Sequence, residues 1–125
     1  MIRKMAEALS EEEAWLTPYG LAGERLSSDH YREVGWLCGP VLAPAQLLVC
    51  LGLRECGEEE LARKIARRYC DALIRSGFPM IMNAKTGEDV SEGRWSTRYP
   101  NRMSWTAVSF LVLGSLFLQD SFEGE

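Results

Sequence analysis

The stretch Ala43 to Gly77 reads APAQLLVCLGLRECGEEELARKIARRYCDALIRSG, and it decides the fold class. Its first part is apolar on nearly every side until Arg54, the pattern of a helix buried all round. Gly57 closes that helix, because glycine accepts the left-handed backbone of a helix C-terminus. Glu58 to Glu60 open a second helix that runs to about Arg75. On it, Leu61, Ala62, Ile65, Ala66, Tyr69 and Leu73 share one face, and Arg63, Lys64, Arg67, Arg68 and Asp71 take the other. That is a surface helix with one buried stripe. Gly77 is its stop signal.

Toward the C-terminus, Gly77 to Met103 reads as one long loop. Loops beyond roughly 12–15 residues in a compact domain usually carry function or are disordered. Phe78, Trp95, Tyr99 and paired Arg and Asn residues are not a disordered composition. Ser104 then caps a third long helix, WTAVSFLVLGSLFLQ, again apolar nearly all round. Toward the N-terminus, Glu7 to Trp15 reads as a short helix with Ser10 as a cap ahead of Glu11 to Glu13. Thr17-Pro18-Tyr19-Gly20 breaks it, and Leu21 to Pro40 reads as loop.

The order is therefore buried helix, surface helix, long loop, buried helix. It predicts an all-α fold with inner and outer layers, in a single helical domain over 1–125. Two apolar helices under one amphipathic cover do not bury themselves well. A homo-oligomer, or the remainder of a larger protein, is the expected partner.

Composition narrows the functional classes. The chain is 46% hydrophobic and 26% charged, with net charge −4. That balance argues against nucleic acid as a partner. The basic residues of the second helix lie among Glu58 to Glu60 and Asp71, as on a solvated outer face. The N-terminus lacks the apolar core of a signal peptide, and the apolar run near Ala107 to Leu118 is too short for a membrane span. Cys38, Cys50, Cys56 and Cys70 form no CxxC, and His30 is the only histidine. The reading is free thiols in a cytoplasmic protein, with no metal and no cofactor. His30, with no nucleophile or orienting partner in view, is weak evidence for catalysis.

Several runs, in order, carry a family resemblance: WLTPYGLAGE, the Gly39 to Pro44 turn, LLVCLGLRECG, LARKIARRYCDALIRSGF, NAKTGE and SWTAVSFLVL. Together, over Ala14 to Leu116, they resemble the C-terminal part of (α/α)6-barrel glycoside hydrolases of the family 63 type. That family includes processing α-glucosidases and hydrolases of mannosylglycerate and glucosylglycerate. The resemblance implies a partial (α/α)6 toroid of antiparallel inner and outer helices, with the long loop at 77–103 over a sugar pocket. It also implies an ancestral chemistry, hydrolysis of an α-glycosidic bond by a general acid and a general base with inversion.

The family's base is a glutamate in a pattern like GFxE, and here that position is Met80 in Gly77-Phe78-Pro79-Met80. A thioether does not take a proton from water at neutral pH. The acid lies upstream of the segment resembled and has no counterpart here. The family's WRGP-x-W pattern reads Leu37-Cys38-Gly39-Pro40-Val41-Leu42, with Trp36 one place earlier. The expectation is a glycosidase-like domain that is inactive as this chain, the alternative being a non-catalytic sugar-binding or protein-interaction module.

Candidate contacts for a carbohydrate or polyol are Tyr19, Trp36, Trp95, Arg98, Tyr99, Asn101, Arg102 and Trp105. Trp105 either stacks on a sugar ring or packs in the core. Trp95, Arg98, Tyr99, Asn101 and Arg102 supply donors and a stacking face, or else the arginines tie the loop to Glu88, Asp89 and Glu92. The segment Trp95 to Arg102, stiffened by Pro100, is expected near Trp36 and Trp105. Glu88, Asp89 and Glu92 follow a Thr-Gly turn and read as a solvated loop.

Overall fold

The computed structural model describes residues 1–91 and 104–121. Among the described residues, four α-helices, α1 (Ile2–Leu9), α2 (Ala43–Glu55), α3 (Glu59–Ser76) and α4 (Ser104–Phe117), carry the fold. Two small antiparallel pairs accompany them: β1 (Leu16–Thr17) with β2 (Gly20–Leu21), and β3 (Val41–Leu42) with β4 (Ile81–Met82). Helices α2, α3 and α4 pack against one another. Among the described residues, no helix is long and apolar enough to cross a membrane.

Helix α3 has the expected shape. Ala62, Ile65, Ala66, Tyr69, Cys70, Ala72 and Leu73 are buried, and Gly77 ends the helix at φ 76° and ψ 30°. The opening helix differs from expectation. It spans Ile2–Leu9, and Ser10 is its C-cap, donating from Oγ to the Glu7 carbonyl at 2.7 Å. The acidic run Glu11 to Glu13 forms a turn tied to other elements instead. Glu12 takes hydrogen bonds from Arg68 Nη1 and Lys64 Nζ, each at 2.7 Å, pinning the N-terminal region to α3. The Arg68 and Lys64 hydrogen bonds hold the Glu12 carboxyl down at about 2. This contribution is present above the ordinary carboxyl value and fades as pH falls toward 2.

Helix α2 is not buried all round. Ala43, Gln46, Cys50 and Leu53 face the core, while Leu48 is 69% exposed. The largest of its fully buried side chains is polar. Gln46 Oε1 accepts from the Leu21 amide at 2.8 Å, and its Nε2 donates to the Leu21 carbonyl at 2.8 Å. The side-chain amide thus acts as a strand neighbour for β2.

Helix α4 is turned against its composition. Its buried residues are Thr106, Ser109, Leu113 and Phe117, whereas Trp105, Val108, Leu111 and Leu116 are exposed. Two inward hydroxyls accompany this orientation: Thr106 Oγ1 donates to the Pro79 carbonyl at 3.4 Å and Ser109 Oγ to the Ala43 carbonyl at 3.3 Å, both long contacts. Of the four cysteines, all free, Cys50 and Cys70 are buried and Cys38 and Cys56 exposed. Burial pushes the Cys50 thiol up to about 12, so it stays protonated and unreactive.

Candidate functional site

Two neighbouring segments build the end of the fold where the sequence places its site. The first is the turn Tyr31 to Gly39. The Arg32 amide donates to the Cys38 carbonyl at 2.7 Å and closes it. Gly35 and Leu37 take positive φ, at 133° and 68°, and swing Trp36 out at the tip. Gly39 fits because it has no side chain: a Cβ there would collide with the Arg32 carbonyl and the Tyr31 ring. The second segment is Pro79 to Ser91. Its β4 pairs Ile81 with Leu42 and Met82 with Val41. The Asn83 side chain accepts from the Lys85 and Thr86 amides, and the chain returns so that Asp89 bridges to Met82. The first half of the long loop is therefore a small hairpin.

Between the segments lies a narrow slot of about 20 Å³, lined by Val34, Gly35, Trp36, Met80, Ile81, Val90 and Ser91. That volume holds one water and no sugar ring. Met80 is 3% exposed and packs with Leu42 and Ile81, with Ala45 and Val90 at the edge. Ser91 Oγ is buried with no hydrogen-bond partner among the described residues. Among the described residues, no carboxylate lines the slot. Asp89 instead accepts from the Ser91 amide at 2.8 Å, Glu88 meets the Thr86 hydroxyl, and both stay exposed in the turn, as read from the sequence. Among the described residues, no group of three His, Cys, Asp or Glu side chains is arranged to hold a metal ion.

The sequence candidates separate. Trp36 lines the slot with Met80 and is 36% exposed. Trp105 does not line it, and at 48% exposed it is no core residue. Its neighbour Thr106 bonds Pro79, which brings the head of α4 beside the same segment. Tyr19 packs against Gly87, where an added Cβ would stand 2.5 Å from the ring. That contact explains why the Thr-Gly turn needs its glycine, and it gives Tyr19 a scaffold role. Trp95, Arg98, Tyr99, Asn101 and Arg102 lie outside the described residues. Ser91 was missed, since a lone serine after Asp-Val carries no sequence signal.

The family model of the mannosylglycerate hydrolase MGH1-like glycoside hydrolase domain matches residues 1–106. The chain belongs to this glycoside hydrolase family. An uncharacterized conserved protein from Thermus thermophilus superposes with TM-score 0.65 at 22% identity, over 90% of this chain and 24% of that one. The GH63 mannosylglycerate hydrolase of the same organism, in complex with glucose, gives TM-score 0.65 and 22% identity over 90% of this chain and 25% of that one. Its complex with Tris and D-glycerate gives 0.64 and 20%, over 90% and 24%. This chain therefore spans about a quarter of the length of these neighbours. No functionally curated protein matches it. At this identity the likeness shows the fold, a partial (α/α)6 toroid, in agreement with the layering read from the helix pattern.

Proposed function

We propose that this MGH1-like domain keeps the scaffold of an α-glycoside hydrolase without its proton acceptor, and that the chain alone hydrolyses no glycosidic bond. One observation carries this reading: the residue at the family's base position, Met80, is sealed in an apolar cluster facing Trp36 and Ser91. A general base must reach the water it activates, within about 2.6–3.2 Å or through one intervening water. A thioether in a slot of about 20 Å³ meets neither the chemistry nor the geometry.

The ligand class we assign to this end of the domain is a carbohydrate or polyol. Trp36 offers a partly exposed aromatic face there. In sequence, the segment between Ser91 and α4 carries Arg98, Asn101 and Arg102, whose side chains are hydrogen-bond donors, and the aromatic residues Trp95 and Tyr99. The neighbouring mannosylglycerate hydrolase was crystallised with glucose and with D-glycerate, which are of that chemistry. A second reading, a protein-interaction module, is favoured by the outward apolar face of α4.

Incubation of the purified chain with mannosylglycerate, glucosylglycerate and α-linked disaccharides tests the proposal. We expect no release of free hexose above the buffer rate. Release that is abolished by Trp36→Ala in the same preparation would overturn it.

A further inference from the structure

We draw no further inference here: the strongest candidate, the apolar groove of about 250 Å³ between α3 and α4 walled by Ile74, Phe110, Leu111 and Leu118, carries none, because nothing in the structure shows what covers it.

Discussion

Replacing Gln46 with leucine is expected to lower the unfolding free energy by about 2–4 kcal/mol. Leucine matches the volume, so little cavity is created. What is lost is the pairing of the buried Leu21 amide and carbonyl, both served by Gln46 at 2.8 Å. Each orphaned buried group costs about 1–3 kcal/mol. Gln46→Glu separates the two bonds. It keeps an acceptor for the amide but sets a carboxylate against the Leu21 carbonyl, so it should destabilise more at neutral pH than at low pH. Equilibrium unfolding in urea measures both. A Gln46→Leu variant within about 0.5 kcal/mol of wild type would show that the Leu21 groups find other partners.

Gly39→Ala should cost about 3 kcal/mol or more, combining a strained backbone with overpacking against the Arg32 carbonyl and the Tyr31 ring. Gly35→Ala is the matched control. Its φ of 133° is equally unfavourable for alanine, but a Cβ there meets nothing within 4 Å. It should therefore cost only the backbone term, about 1–2 kcal/mol. Thermal unfolding of the two variants side by side reads the difference. Equal losses would mean that the turn presenting Trp36 is not held by the Gly39 contact.

The helices that alternate in polarity were legible. The expected Glu58 to Arg75 helix falls within one residue of Glu59–Ser76 at either end, because charge marks one face and Gly57 and Gly77 mark the ends. Uniformly apolar helices gave existence without orientation. Nothing in WTAVSFLVLGSLFLQ says that Thr106 and Ser109 turn inward, since their acceptors, the Pro79 and Ala43 carbonyls, are distant in sequence. Gln46 was hidden for the same reason: its partner lies 25 residues away. The first helix was misplaced because Ser10 before three glutamates has the chemistry of an N-cap. The true stripe, Ile2, Met5, Ala6 and Leu9, is short and mostly exposed. Strands of two residues leave no period to read. At the candidate site, Met80 and Trp36 were placed by resemblance, and the structure brings both to one slot. The slot's narrowness follows from β3–β4 pairing, which no local pattern announced.

The sealing of Met80 is open to one direct measurement. The chain labelled with 13C at the methionine methyl groups gives a resolved NMR signal for each, and a soluble nitroxide broadens those that solvent reaches. Met5, 59% exposed, should lose its signal, while Met80 and Met82, at 3% and 1%, should keep theirs. A Met80 methyl broadened as strongly as that of Met5 would contradict the closed apolar cluster and reopen this position to substrate and water.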